Sequence, residues 1–379
     1  MDLERTQLYE WHKKHGHVVP FSGWEMPVRY SDIVEEHMAV RDAIGIFDTS
    51  HMARFFIKGE QAAEFLQRIS TNNVSKLGVN DGQYSTCLNG SGGTRDDLTL
   101  YRIDENEFVW VTNAVNGPKI REHMLKHARD YDVQVNERTK EVTMIAVQGP
   151  KAMGLLSEMA GRNLGEYKRF TCNKVQFGNH DTLLCRTGYT GEDGAEILVL
   201  DTPLTDEGKQ RAVTFWETLL QEGASFGIKP CGLGARDSAR LEAGFVLYGN
   251  ELDEETSPIE ARIPYAVKFK VEPHYLGYDE VRRQKKEGVR KTRIGLVMIE
   301  RGIPRGQYPI RLDGKEIGKV TSGMPSPILK RGIAMGYVKP NLVEAGDTVE
   351  VDIKGRKRRA EIVNWPFYDP DVYGATRKS

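Results

Sequence analysis

The chain has 379 residues, 39% of them hydrophobic and 28% charged, an ordinary globular composition that excludes a disordered or fibrous protein. Its 53 Lys and Arg against 54 Asp and Glu leave a net charge of −1, which gives no electrostatic reason to expect a nucleic-acid partner. No run reaches the ~18–20 apolar residues of a membrane helix, and the opening MDLERTQLYEWHKKHG has the pattern of neither a secretory signal nor a transit peptide.

Length predicts two or three domains. HKKHGH (12–17) is polar and lacks metal-ligand spacing. FFIKG (55–59) reads as a strand, rich in β-branched and aromatic residues. GEQAAEFLQRIS (59–70) then reads as a helix with Ala63, Leu66 and Ile69 on one face. LTLYRIDENEFVWVTN (98–113) predicts a hairpin turning at Asp104–Asn106. NGPKIREHMLKHARDY (116–131) predicts a helix with Asn116 as N-cap and Pro118 in the first turn. Its His123 and His127 lack the glutamate of H-E-x-x-H, so they read as a wet face and not a zinc pair. TMIAVQG (143–149) and AEILVL (195–200) are strands, and RAVTFWETLLQEG (211–223) is a helix closing on Gly223. Strands arriving in adjacent pairs favour antiparallel α+β layers over a doubly wound parallel sheet.

The composition shifts near residue 280. VRRQKKEGVRK (281–291) is a basic connector or solvated helix end. Six short strands follow, RIGLVMI, YPIRL, IGKVTSG, IAMGYV, DTVEVDI and RRAEIVN, separated by Gly and Pro. That pattern predicts a small β barrel or sandwich. Cys87, Cys172, Cys185 and Cys231 fit no disulfide framework or zinc site and read as free thiols in a reducing cytoplasm.

Several familiar signatures are absent. GLGAR (232–236) lacks the third glycine of a dinucleotide fingerprint, and there is no G-x-S-x-G elbow or P-loop. Three segments carry more. In SGGTRDDLTLY (91–101), Asp96 and Asp97 are neighbours on a strand, so one faces inward and the other outward. An inward carboxylate needs partners; a turn-capping Asp pair is the plain alternative. In TGYTGEDGAEILV (187–199), Glu196 is either a buried anchor or, on strand periodicity, an exposed residue. In CGLGARDSARLEAGFVLYGNEL (231–252), Arg236 comes early in a Gly-bounded helix. There it either receives a carboxylate ligand or braces the helix through a glutamate.

These segments resemble the T-protein of the glycine cleavage system, a tetrahydrofolate-dependent aminomethyltransferase. The resemblance extends over VPFSGWEMPVRY, EEHMAVRDAIGIFDTSHM, MIAVQGP, KPCGLGARDSARLEAGFVLYGNELDEETSP and TSGMPSPIL, in order and spacing. It implies an α+β protein with a three-domain clover-like fold, a ferredoxin-like α+β domain and a C-terminal β-barrel domain. Residues 1–280 would form the folate-binding region, as two intertwined α+β subdomains, and 285–375 the barrel. It implies transfer of a one-carbon unit from the lipoyl arm of an H-protein to tetrahydrofolate, in the cytoplasm and without a metal. The products would be 5,10-methylenetetrahydrofolate, ammonia and the dihydrolipoyl arm.

By the same resemblance Asp97 is the catalytic carboxylate and Glu196 binds the pterin. Arg236 lies near the glutamate tail of folate, Tyr84, Asn113 and Tyr189 line the folate site, and Met52 adds an apolar wall. Tyr373 is the best candidate for a folate-contacting tyrosine near the C-terminus. A folate-dependent demethylase of the same superfamily is the alternative. A folate-binding iron–sulfur assembly factor is disfavoured, because TGYTGEDG lacks that branch's cysteine.

Overall fold

Two sheets face each other, and strand alternation decides what lies between them. The computed structural model describes residues 3–378. One sheet has the strand order Gly82–Leu88, Thr94–Asp104, Glu107–Thr112, Ala53–Lys58, Gln134–Glu137 and is antiparallel throughout. The expected hairpin is its centre, pairing Leu98 with Thr112 and Asp104 with Glu107. Helices Ala62–Ile69 and Gly117–His127 cover one face, burying Phe65, Leu66, Ile120 and Met124 against Phe55, Leu98, Leu100 and Trp110.

The second sheet runs Cys172–Phe177, His180–Cys185, Gly194–Val199, Thr143–Gln148, Ile44–Asp48, Ile228–Pro230. Its last pair is parallel and the rest antiparallel. Helices Ala152–Ala160 and Asp206–Glu222 cover it through Leu156, Phe215, Trp216 and Leu219. The other faces meet: Tyr101, Val109 and Val111 pack with Met144, Leu183, Cys185 and Leu198.

A strand between two such layers has no fully open face, so parity sorts residues between a helix side and an inter-sheet side that is only partly covered near Asp97. Leu98 and Leu100 pack under the helices, whereas Tyr101, and with it Asp97, belongs to the inter-sheet side. Likewise Ala195, Ile197 and Val199 face their helices, and Glu196 shares its side with Leu198. The exposed reading of Glu196 is therefore wrong; it is 7% exposed.

All six expected C-terminal strands are present. They close into a barrel in the order Thr292–Met298, Gly332–Val338, Lys315–Pro325, Pro309–Leu312, Thr348–Ile353, Arg356–Val363. Leu296, Ile310, Val320, Val351 and Ile362 fill it. Helix Leu233–Glu242 joins the barrel to the sheets: Leu241 packs on Ile333, Met335 and Phe367, and Arg240 reaches Glu251 and Ser322. Gly232 in GLGAR has a packing role, since a Cβ there would stand 2.3 Å from the Val28 backbone.

Other local readings need correction. Asn116 occupies the N-cap position but makes no capping bond; its amide is used elsewhere. Gly223 ends its helix in ordinary αR geometry, not left-handed. On helix 62–69, Ala62 and Phe65 are buried beside Leu66 and Ile69, while Ala63 is only partly covered. His123 is not wet: it is buried against His127, with ring centroids 4.7 Å apart, and burial holds its pKa at about 3. His12, from the polar HKKHGH cluster, is fully buried between Asp48 and Tyr30, at 2.8 Å from each.

An ion network ties the chain's far ends together. Arg41 is buried and reaches Glu192 at 3.0 Å and Glu242 at 3.1 Å. His37 lies 2.9 Å from Glu242. Arg377 bonds both Glu192 and the Arg41 carbonyl, and the Gly374 N–H donates to Glu192 at 3.0 Å. The tail thereby crosses the Gly-rich loop 187–194.

Candidate active site

Asp97 and Asp96 leave one strand in opposite directions, and only Asp96 is shut off from solvent. Asp97 is half-buried on the inter-sheet side. Its Oδ2 accepts the Tyr84 hydroxyl at 2.9 Å, and its Oδ1 accepts Asn113 Nδ2 at 2.8 Å. Burial raises its pKa, and these two bonds oppose the rise by favouring the anion. Asp96 is fully buried on the helix side, beneath the turn that opens helix 117–127. The expected split is present: Asp96 turns inward to full burial and Asp97 takes the partly open side.

Tyr84 comes from the adjacent strand, where Thr86 is the register partner of Asp97. Its hydroxyl pKa lies well above the usual value, through burial first and the Asp97 charge second, so it remains a donor. We predict that Tyr84→Phe moves the acid limb of the rate profile to higher pH. The anion loses a bond, so Asp97 takes up its proton sooner as pH falls. An acid limb identical to wild type would show that Tyr84 does not hold Asp97.

Glu196 faces the same inter-sheet space from the other sheet. Its Oε2 accepts Thr187 Oγ1 at 2.6 Å, and that hydroxyl lies 2.6 Å from the Tyr101 hydroxyl. Among the described residues no donor reaches Oε1, which leaves a carboxylate edge available.

Arg236 braces nothing. The helix-bracing pairs belong to Arg240 with Glu251, at 3.0 Å, and to Arg41 with Glu242. The Arg236 guanidinium instead lies over the Tyr189 ring at 4.8 Å, and among the described residues its buried Nη1 has no hydrogen-bond partner. Burial lowers its pKa, with Glu196 and then Tyr189 opposing. A buried unpartnered guanidinium N–H costs stability unless something fills it; an anionic group would. Tyr189 stacks on Phe245 with centroids 6.0 Å apart, and its hydroxyl donates to the Val246 carbonyl.

Met52 is half-buried against the inter-sheet cluster. Tyr373 stands apart from this group. It meets Tyr368 edge-on at 6.3 Å and Arg377 at 5.9 Å, and no hydrogen bond or ring contact joins it to Asp97, Glu196 or Arg236. Among the described residues no cluster of His, Cys, Asp and Glu has the makings of a metal site.

Two family models match the chain. The GCVT N-terminal domain matches residues 8–271, and the glycine cleavage T-protein C-terminal barrel domain matches residues 291–369. The chain belongs to the glycine cleavage T-protein family. It is 38% identical to a probable aminomethyltransferase of Pyrococcus horikoshii, covering 100% of both chains. It is 41% identical to the aminomethyltransferase of Symbiobacterium thermophilum, covering 97% of each. The crystal structure of glycine cleavage system aminomethyltransferase T from Bartonella henselae superposes with a TM-score of 0.88 at 33% identity, over 97% of this chain and 98% of that one. The chain is accordingly an aminomethyltransferase with the T-protein fold.

Two features of this T-protein site escape sequence reading. His51 is buried, and burial, together with the charges of Arg236 and Arg54, holds its pKa at about 3, so it stays neutral. Asp96 is not a bystander: Thr112, Asn113 and Asn116 all donate to it. A signal for the second was available, because a strand carboxylate under a helix start sits where the helix field favours a negative charge.

Proposed function

We propose that this T-protein passes the one-carbon unit of an aminomethyl group, carried on the lipoyl arm of an H-protein, to tetrahydrofolate. Methylenetetrahydrofolate, ammonia and the dihydrolipoyl arm are the products. The observation that carries this reading is Asp97: a half-buried carboxylate held by Tyr84 and Asn113, on the side of its sheet that Glu196 faces from the other. Positive charge develops as the carbon–sulfur bond gives way to an iminium-like centre, and a fixed anion nearby stabilises it. The folate nitrogen must also be held within reach of that carbon. Glu196 would accept two N–H bonds from the aminopyrimidine edge through its free Oε1 and through Oε2. Arg236 Nη1 would take the anionic tail, with Tyr189 and Met52 as further contacts. The site works in a cytoplasmic folate-binding region, residues 1–280, with the barrel, 285–375, behind it. Turnover of aminomethylated H-protein with and without tetrahydrofolate tests the proposal; a rate independent of the folate would refute it.

Glu196→Gln replaces an acceptor pair by a half-matched amide. Loss of one charge-assisted bond should cost about 1.5–3 kcal/mol of folate affinity. Calorimetry showing unchanged affinity would remove Glu196 from the pterin site. Carrier docking is best sought on the exposed cations that lack acidic partners. Arg283, in the 281–291 run, is already paired with Glu280 and Glu287, and Arg359 lies 3.5 Å from Glu300. Across Arg301, Arg305, Lys330 and Arg331, all exposed on the barrel, no ion pair forms among the described residues.

A further inference from the structure

The buried carboxylate of Asp96 receives four donors. Its Oδ1 accepts Asn113 Nδ2 and Asn116 Nδ2, each at 2.7 Å, and its Oδ2 accepts Thr112 Oγ1 and the Asn113 backbone N–H, the latter at 3.1 Å. Asn113 Nδ2 has two hydrogens. One is committed to Asp96, which turns the other onto Asp97 Oδ1 at 2.8 Å. One amide therefore bridges both carboxylates, and its orientation is set from the buried side. We propose that Asp96 is a positioning residue for Asp97, acting through the shared Asn113 amide.

Its reach is electrostatic as well as geometric. Burial and then the Asp97 charge raise the Asp96 pKa, and burial raises that of Asp97. Two carboxylates joined by one neutral amide repel, so ionising either one makes the other harder to ionise. Among the described residues no ion pair neutralises Asp96. Cys87 stands opposite it on the next strand, and burial raises that thiol to about 12. Lys119, on helix 117–127, is engaged by Glu254 at 3.1 Å and by the Tyr248 hydroxyl at 2.8 Å. Arg95, the preceding residue, is the extra residue of a bulge between the Thr94–Leu88 and Asp96–Cys87 pairs; its charge reaches Cys87 and His123, but among the described residues it makes no ion pair with Asp96. Around Asp97 the titratable neighbours are Tyr84, Tyr189, Tyr265 and Glu251. None of these is a cation.

Two substitutions separate the geometric and electrostatic parts. In Asp96→Asn the side-chain oxygen can keep both amide donors on the Oδ1 side and Thr112 can turn its hydroxyl to accept, while the new amide nitrogen faces the Asn113 backbone N–H, which loses its acceptor. The Asn113 amide stays aimed while a negative charge disappears. Turnover at neutral pH should stay within about threefold of wild type. Asp97 ionises first, against a still-protonated Asp96, so the acid limb should stay within about 0.3 pH unit of wild type; the charge that disappears is one Asp96 acquires only at higher pH. In Asp96→Ala the Asn113 amide is released. Turnover should fall about 10- to 100-fold, with the KM for folate changed less than about threefold, the pattern of a lost transition-state interaction. Release of the amide also takes a donor from Asp97, so the acid limb of Asp96→Ala should move up; a role in folding alone would move neither that limb nor the ratio between the two variants.

The proposal rests on Asp97 as the working carboxylate, so Asp97→Asn is measured in parallel, and carboxyl titration by ¹³C NMR reads the pair without turnover. Full activity in Asp97→Asn would refute the catalytic role of Asp97, while the titration would still decide whether Asp96 governs it. Should Asp96→Ala not fold, Asp96→Val, nearer to aspartate in volume, carries the test. An upward shift of the Asp97 titration on loss of the Asp96 acceptors, absent in Asp96→Asn, supports the proposal. An Asp97 titration left unshifted by that loss overturns it.

Discussion

Asp97→Asn should lower single-turnover transfer by about 10²–10³-fold while leaving folate affinity within a factor of about three. The two side chains are nearly the same shape. Tyr84 can still donate to the amide oxygen, and the recess keeps its form. What disappears is the fixed negative charge at the place where the carbon becomes cationic. Removing one preorganised electrostatic partner typically raises a barrier by about 3–4 kcal/mol, and each 1.4 kcal/mol is about a factor of ten. The effect belongs to the chemical step, so it should appear in a single turnover of preformed aminomethylated carrier and not in calorimetric binding of folate. Equal single-turnover rates for variant and wild type would end the catalytic assignment.

Arg41→Met carries the second large effect, on stability. Methionine fills much of the space but leaves Glu192 and Glu242 without the guanidinium that lies between them. Arg377 still reaches Glu192, and His37 and Ser326 still reach Glu242, yet a buried negative charge remains uncompensated. Breaking a buried pair from one side costs about 3–5 kcal/mol. The sign with pH follows from Glu242. In the native protein its partners hold its pKa below the usual value despite burial. That contribution is present above the unfolded carboxyl pKa and is lost as pH falls through the folded one. In the variant burial dominates and the pKa rises, so protonation relieves the cost. The gap in urea midpoint between variant and wild type should be widest near pH 8 and narrow towards pH 5. A gap below about 1 kcal/mol at pH 8 would mean that the carboxylates are not held by Arg41.

Local composition made the strands and the barrel legible. Val, Ile, Phe and Tyr at period two mark FFIKG, LTLYRI and EFVWVTN, and short strands punctuated by Gly and Pro mark the C-terminal barrel. The pairing of strands was also legible, because the Asp104–Asn106 turn brings two alternating runs together. What alternation could not give is the nature of each face. Between stacked sheets and helices neither face is a free surface, so alternation leaves Glu196 open between a buried anchor and an exposed residue and does not say what surrounds Asp96. The His123 reading failed for the same reason. Asn116 illustrates a different limit. Its position before a helix is local, but its amide is drawn to a carboxylate 20 residues earlier. The partners of Arg41, Glu192 and Glu242, are 151 and 201 residues away, and no spacing rule connects them. The site motifs were legible through family resemblance, whereas the contacts that aim them are made by tertiary structure.

Glu192 and Arg377 lie 185 residues apart in the chain, and this gives the loop between Thr187 and Gly194 a history. On the ribosome the loop and both sheets emerge first, with Arg41 already present to neutralise the carboxylate. The strap of residues 374–378 arrives only after the whole barrel has been made. Until then the Gly191 carbonyl lacks the Ala375 N–H, and Glu192 lacks both Arg377 and the Gly374 N–H. The nascent chain thus assembles the floor of its site early and fastens the loop bearing Tyr189 last. A stop codon or a bulky fusion just before residue 374 would leave a folded protein with an unfastened loop.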